Sequence, residues 1–300
     1  MKLSAMIRRF AGACVLVLLP ALADAQYLKV HLLGTGNPQP SIERFSAGIL
    51  VEAGARKLLF DAGRGGTIRM AQLGIPPGDV NPLFLTHLHS DHVVGIPDVW
   101  LTGWLRGRAT PLQVFGPDGT QDMMQHLRQA YQADVRIRTS RTRSPEGAGV
   151  IARDISEGVV WGEDGVKVTA FTVEHGPAKP AFGYRIDYAG RSVVLSGDTG
   201  PTENLVQFAQ GVDLLVHEVS LPGTRPGAGG STHTTPEDAG RIFARVKPRL
   251  AVYSHIIPPD APAEDFIVQT RKTYSGPLEV GEDLMSIDVG NEIRVSRFPR

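Results

Sequence analysis

Four side chains able to bind a metal fall within six positions, at His87, His89, Asp91 and His92 of the stretch Thr86-His87-Leu88-His89-Ser90-Asp91-His92. Neutral imidazole and carboxylate are the donors that suit Zn²⁺ and its first-row neighbours, and one short turn lets them converge without the chain doubling back. Such a turn has enough donors for two ions. With only 9 histidines in 300 residues, this density sets the stretch apart from an ordinary polar loop. Three later stretches end an apolar run on a metal-capable residue followed by small or turn-forming ones: Val173-Glu174-His175-Gly176-Pro177, Leu195-Ser196-Gly197-Asp198-Thr199-Gly200 and Val252-Tyr253-Ser254-His255. Taken singly, a histidine at a strand end is more often structural and Asp198 a turn former; together with the first stretch they make seven candidate ligands.

The elements around these residues follow from periodicity. Leu83-Phe84-Leu85 is an apolar strand, and Val93, Val94, Ile96 and Trp100 begin an amphipathic helix, so the motif lies at a strand-to-helix turn. In α/β sheets, sites form there, at the carboxyl ends of strands. Tyr27–Leu33 is β-rich and runs into Gly34-Thr35-Gly36-Asn37-Pro38. That loop lacks the third glycine and following helix of a dinucleotide fingerprint. Ala47–Val51 and Lys57–Phe60 flank a turn and predict a hairpin, which Asp61 follows. Asp61 either caps a helix from about Gly65 to Leu73 or accepts a hydrogen bond from a metal ligand. Leu112–Phe115 predicts a strand, and Pro117-Asp118 opens a helix to about Ala133, where His126 lies on the solvated face. Arg136–Arg143 holds four arginines, a solvated loop or a contact for an anion. Strands are expected at Val159–Trp161, Val166–Val173, Phe182–Tyr188, Ser192–Leu195, Val212–Val216 and Leu250–Tyr253, and helices at Glu203–Ala209 and Pro236–Val246. Strands followed by helices, twice over, predict two mixed sheets packed face to face with helices outside.

Composition narrows the classes. The 31 basic and 31 acidic residues cancel, giving no overall electrostatic footprint for nucleic acid or an anionic membrane. Lys2, Arg8 and Arg9, the apolar run Phe10–Leu22 and Ala23-Asp24-Ala25 form the pattern of a secretory signal cleaved after Ala25, leaving 26–300 as one domain, periplasmic or secreted, with no membrane attachment. The single cysteine, Cys14, lies inside that signal, so the mature chain carries no thiol for a disulfide, a metal or a nucleophile.

With these residues in hand, the sequence resembles the metallo-β-lactamase superfamily, whose H-x-H-x-D-H, distant His, distant Asp and final His match His87, His89, Asp91, His92, His175, Asp198 and His255 in order. The resemblance implies a four-layer αββα sandwich and two metal ions, the first held by His87, His89 and His175, the second by Asp91, His92 and His255, with Asp198 bridging. Two Zn²⁺ are expected, with Mn²⁺ or Fe²⁺ as alternatives. Leu33-Gly34-Thr35-Gly36 with Arg44, Ala181-Phe182-Gly183-Tyr184-Arg185, His217-Glu218-Val219-Ser220 and Ser231-Thr232-His233-Thr234-Thr235 are similar to landmarks of the ribonuclease Z-like and arylsulfatase-like branch. By that match His233 is a candidate acid oriented by Glu218, Asp91 an alternative proton carrier, and His217 structural. Thr234-Thr235-Pro236-Glu237 also reads as a helix-capping sequence, the other role open to this segment.

Two departures shape the expected function. From His175 to Asp198 is 23 positions, too few for the long arm with which tRNA-processing relatives hold tRNA, so no tRNA partner is expected. Asp198 is present where true lactamases lack the bridging aspartate. The expectation is therefore hydrolysis of a small anionic substrate, a phosphodiester or related ester, by a metal-bound hydroxide. A lactonase or arylsulfatase on the same site is the alternative, with a β-lactamase or a redox di-iron module behind them; a homodimer is left open.

Overall fold

A computed structural model describes residues 27–139, 144–223 and 232–299. The expected signal segment with Cys14, the end of the arginine-rich stretch, and most of the loop from Gly223 through Ser231 lie outside the described residues.

Alternating or wholly apolar runs give fifteen strands among the described residues: β1 (Leu28–Gly34), β2 (Gly48–Ala53), β3 (Arg56–Phe60), β4 (Val80–Phe84), β5 (Leu112–Gly116), β6 (Val150–Asp154), β7 (Gly158–Glu163), β8 (Val166–Val173), β9 (Ala181–Tyr188), β10 (Arg191–Leu195), β11 (Leu214–Ser220), β12 (Leu250–Ile257), β13 (Leu278–Val280), β14 (Ser286–Val289) and β15 (Ile293–Ser296). They form two mixed sheets, ordered β15-β14-β1-β2-β3-β4-β5-β6 and β13-β12-β11-β10-β9-β8-β7. The β2–β3 hairpin turns at Gly54, whose φ of 58° is the left-handed conformation that a tight turn there requires. Beyond it the first sheet becomes parallel from β3 to β6, as the second does from β10 to β13.

Between the sheets, side chains of alternate strand positions interdigitate. Phe60, Phe84 and Phe115 of one sheet meet Trp161, Phe182 and Tyr184 of the other, and the Phe60 and Phe84 rings stack with centroids 5.0 Å apart. Truncating such a buried ring to alanine costs about 3–5 kcal/mol, so this layer is a major source of stability. The opposite faces are covered by helices. Met70, Trp100 and Met124, from helices Gly66–Gln72, Ile96–Leu105 and Thr120–Ala130, pack on Leu59, Leu83 and Val114. Leu205, Phe243 and Phe266, from helices Glu203–Phe208, Pro236–Val246 and Ala263–Thr270, pack on Phe171, Leu215 and Tyr253. This is the αββα sandwich expected from the order of elements.

The helix expected from Pro117-Asp118 to Ala133 begins at Thr120 after Gly119 in left-handed conformation, and stops at Ala130; a second helix, Gln132–Thr139, follows. Helix Pro236–Val246 has its expected bounds because Thr235 caps it, accepting from the Asp238 amide, and Pro236 takes the first helical position where no amide is needed. Among the described residues no helix is long and apolar enough to cross a membrane.

Candidate metal centre

The seven candidate ligands and their supports leave the strands at one edge of the sandwich. Asp61 follows β3, the Thr86–His92 motif follows β4, His175 follows β8 and Asp198 follows β10, while Glu218 and His255 lie near the ends of β11 and β12. Short loops of small residues let the chain turn there; Gly197, with φ at 61° and its α-carbon face against Phe182 O and Thr86, brings Asp198 in where no larger residue fits. His255 is the extra residue of a bulge. Glu218 pairs with Ser254 and Val219 with Ile256, and His255, at φ 45°, is left out of register. A bulge re-aims one side chain; here the ring of His255 turns to meet Asp91.

Three ring nitrogens converge at one point: His87 Nε2 and His175 Nε2 lie 2.8 and 3.2 Å from His89 Nδ1. Asp91, His92 and His255 form a second convergence, with Asp91 Oδ2 3.6 Å from His92 Nε2 and 3.3 Å from His255 Nε2. Asp198 touches both sets, its Oδ2 3.8 Å from His175 Nε2 and 3.2 Å from His255 Nε2, its Oδ1 3.5 Å from His92 Nε2. The structure thus brings together the two sets of side chains that the resemblance implies, with Asp198 in contact with both.

The surrounding hydrogen bonds fix which ring nitrogen faces inward. Asp61 accepts from the Thr86 amide at 2.8 Å, the Thr86 hydroxyl at 2.8 Å and His92 Nδ1–H at 2.7 Å. Since the Thr86 hydroxyl donates to Asp61, it accepts from His87 Nδ1–H, 3.0 Å away. His175 Nδ1–H donates to Thr232 O at 2.7 Å. In each case the Nε2 lone pair is left for the centre. Asp61 therefore supports ligands; the helix at Gly66–Gln72 starts from Gly65 with no side-chain cap.

Electrostatics run the same way. Burial, reinforced by His92, pushes the His87 imidazole well below its usual pKa, and burial likewise lowers His175 against the pull of Asp198. Burial opposes ionisation of Asp198, but the His255 and His92 imidazoles hold its carboxyl well below the ordinary range. His92 differs: against its burial, Asp198 and Asp61 raise its imidazole well above the usual pKa, so an ion binding there would displace a proton, whereas His87, His175 and Asp198 already favour the neutral-ring and carboxylate forms that bind metal. The donor set fits a divalent ion on a further count: among the described residues, His92 Nε2 and Asp198 Oδ1 are buried with no hydrogen-bond partner and only face each other at 3.5 Å, a costly arrangement for groups with no other role.

His233 and Glu218 meet beside this centre. His233 Nδ1–H donates to Glu218 Oε1 at 3.1 Å, and the His233 ring lies 5.1 Å from that of His175 and 5.8 Å from that of His255. Glu218 Oε1 also accepts from the Thr199 and Thr234 amides. Burial raises the Glu218 carboxyl, with His233 acting against it. The capping role open to this segment is taken by Thr235, two positions on. His217 is wholly buried, donates from Nδ1 to Glu218 O at 2.7 Å, and is pushed down to about 4 by burial, as expected of a structural, neutral ring. His126 is exposed on its helix.

The centre opens into a cleft of about 320 Å³ lined by His89, Asp91, His175, Asp198, His233 and His255. A second cleft of about 330 Å³, between Pro117-Asp118 and Pro177–Pro180, shares His89 and Pro177 with it. The two clefts adjoin at those residues.

Several supports have roles that the sequence did not assign. Thr86 ties Asp61, His87 and His92 through one hydroxyl. Asp283, from the last turn before β14, accepts from Thr35 N, Thr35 Oγ1 and Phe45 N and pairs with Arg69, fixing the Gly34–Gly36 loop under the site. Arg44 joins that loop to Gly281 O and Pro259 O.

Residues 56–256 match the family model described as a beta-lactamase superfamily domain. The chain belongs to the β-lactamase superfamily. With the ligand clusters above, this makes it a metal-dependent hydrolase of the metallo-β-lactamase fold. Ribonuclease Z of Mycobacterium sp. (strain KMS) is 35% identical over 277 residues, covering 87% of this chain and 96% of that protein. Ribonuclease Z of Mycobacterium marinum is 31% identical over 275 residues, covering 87% and 99%. The fold is shared with the metallo-beta-lactamase fold protein YhfI from Bacillus subtilis (TM-score 0.71, 18% identity, covering 87% of this chain and 99% of that one). It is shared too with the human tRNase Z short form (TM-score 0.69, 22% identity, covering 87% and 99%).

These relatives overturn the expected partner, a small anionic ester with tRNA excluded. The chain aligns over 87% of its length with proteins named ribonuclease Z despite its short interval, so that interval does not exclude an RNA partner. The 23 positions from His175 to Asp198 hold a turn and the β9–β10 hairpin, so they bear only on what is inserted there. Zero net charge is an average over the chain and says nothing of one face.

Proposed function

We propose that this hydrolase cleaves a phosphodiester bond of RNA at a centre of two divalent ions, most simply Zn²⁺. The observation that carries the reading is the convergence of His87, His89 and His175 beside Asp91, His92 and His255 with Asp198 in contact with both sets. The first three would hold one ion, the second three the other, and Asp198 would be shared. Bound there, the ions supply Lewis acidity toward a phosphoryl oxygen and lower the pKa of water.

The chain's own residues do the rest. Asp61, Thr86 and Thr232 hold three rings with Nε2 inward, so little reorganisation accompanies binding. Glu218 orients His233 at the edge of the cleft, where His233 passes a proton to the departing oxygen; Asp91 is the alternative carrier. The groove through His89 and Pro177 accommodates nucleotides on both sides of the bond. The names of the relatives supply the substrate class.

The test is incubation of metal-loaded protein with end-labelled structured and unstructured RNAs, including a transfer RNA, beside a chromogenic phosphodiester. Cleavage of RNA at a defined bond, lost in His233→Ala, is expected. Turnover of the chromogenic ester with every RNA left intact would overturn the RNA reading.

A further inference from the structure

Each buried histidine of the centre has its outward nitrogen held by the protein, except one. His92 is held by Asp61, His87 by Thr86 and His175 by Thr232 O, whereas His255 Nδ1 is buried with no partner among the described residues. A buried ring NH without an acceptor is costly, and it leaves the ring held only by its Nε2 contacts and its stacking on His92 and His233. His255 already sits in the left-handed conformation at the bulge, so its aim depends on its side-chain contacts.

Beside the centre, lined by residues of both sheets, lies a small cavity of about 40 Å³. Its apolar wall is Phe60, Leu195 and Val216, and its polar wall includes Asp198, Glu218 and His255. Glu218 enters with one oxygen committed and one not: Oε1 accepts from His233, Thr199 and Thr234, while Oε2 is buried without a partner among the described residues. A donor-acceptor atom of Glu218, of His233 and of His255 lie within 4.8 Å of one another. A cavity needs roughly 10–15 Å³ and two or more polar partners to hold a water. This one has room for one or two, an acceptor at Glu218 and a donor at His255.

We infer that the cavity is a structural water site, in which a water accepts from His255 Nδ1–H and donates to Glu218 Oε2. This makes Glu218 a positioning residue for a metal ligand as well as for His233. Oε1 orients His233 toward the cleft; Oε2, through the water, holds His255 with Nε2 directed at Asp91 and Asp198. The inference rests on the proposed reading of His255 as a ligand, and it links the two halves of the site through one carboxylate. Hydrogen bonds outside a ligand shell commonly change metal affinity by about 10–100-fold, and the effect here belongs to the ion that His255 would hold.

The experiment measures metal affinity rather than turnover. Apo-protein is titrated with Zn²⁺ against a chromophoric chelator for wild type, Glu218→Ala, His233→Ala and Val216→Ile, the last adding a methylene to the apolar wall without touching a polar group. The melting temperature of each apo-protein reports folding. Glu218→Ala and Val216→Ile are expected to weaken one of the two binding events by about 10-fold or more, while His233→Ala stays within about 2-fold of wild type. A crystal structure of the zinc-loaded wild type should hold a water in hydrogen-bond contact with both His255 Nδ1 and Glu218 Oε2. A dry cavity, or Glu218→Ala binding both ions as tightly as His233→Ala does, overturns the inference. Failure of wild type to bind Zn²⁺ at all sinks the proposed function instead.

Discussion

Replacing Asp61 by alanine tests whether the centre is held from behind. The carboxylate is buried and accepts three hydrogen bonds, from the Thr86 amide and hydroxyl at 2.8 Å each and from His92 Nδ1 at 2.7 Å. Bonds to a charged acceptor contribute about 1.5–3 kcal/mol each, and the donors left behind are buried without replacement. Relief from burying a carboxylate offsets part of the sum, so a net loss of about 3–5 kcal/mol is expected, the range for breaking a buried pair. The φ of 59° at Asp61 adds about 1 kcal/mol more, since alanine tolerates that conformation less well than aspartate. Urea unfolding of the apo-protein measures the stability term. A chelator titration measures the second consequence, a loss of metal affinity of about 10–100-fold as His92 loses its fixed tautomer. An alanine variant within about 1 kcal/mol of wild type, binding metal normally, would refute the claim that Asp61 anchors the motif.

A pH-dependent contribution is expected away from the site, where the bond from His31, followed by opposing burial, holds the Glu52 carboxyl below its usual 4.5. A depressed carboxylate stabilises the fold above its unfolded pKa and loses that contribution as pH falls through the folded one. Glu52→Gln should therefore be less stable than wild type at pH 7 and converge with it in acid, as followed by circular dichroism; a constant gap would contradict this. Gly197→Ala should cost about 1–2 kcal/mol from its positive φ alone, and more from contact with Phe182 O at 2.6 Å. It should also lower metal content by displacing Asp198, as mass spectrometry of the native protein would report. We propose that the chain is exported, so the intact mass of protein recovered from the periplasm should correspond to a start at Gln26; a mass beginning at Met1 in the cytoplasm would contradict it.

The candidate site was legible in the sequence because its candidate ligands end apolar runs. His175 and Asp198 each follow a strand that packs into the core, and His255 lies near the end of another, which let these candidates be tied to the first motif without coordinates. What positions them was less legible. Asp61 allowed two roles at its sequence position, and only the fold brings it under Thr86 and His92. The bulge at His255 has no sequence marker, as the residue is neither Gly nor Asn. Asp283 acts on Thr35 across nearly the whole chain, a pairing no local pattern encodes. Strand β15 at the sheet edge and β14 beside it mix apolar with half-buried or exposed polar residues over four positions each, too short an alternation to separate strand from loop. The partner was misread for another reason. Charge balance and one interval length are global or single-point quantities, whereas substrate choice resides in the local shape of a groove.

The central claim, two divalent ions serving RNA cleavage, is tested most directly by counting metal and activity in one preparation. Protein freed of metal and reloaded is expected to hold two ions per chain by elemental mass spectrometry, and RNA cleavage should rise with occupancy and vanish on chelation. Cleavage that persists in the metal-free protein would contradict the account, as would full activity with a single ion bound.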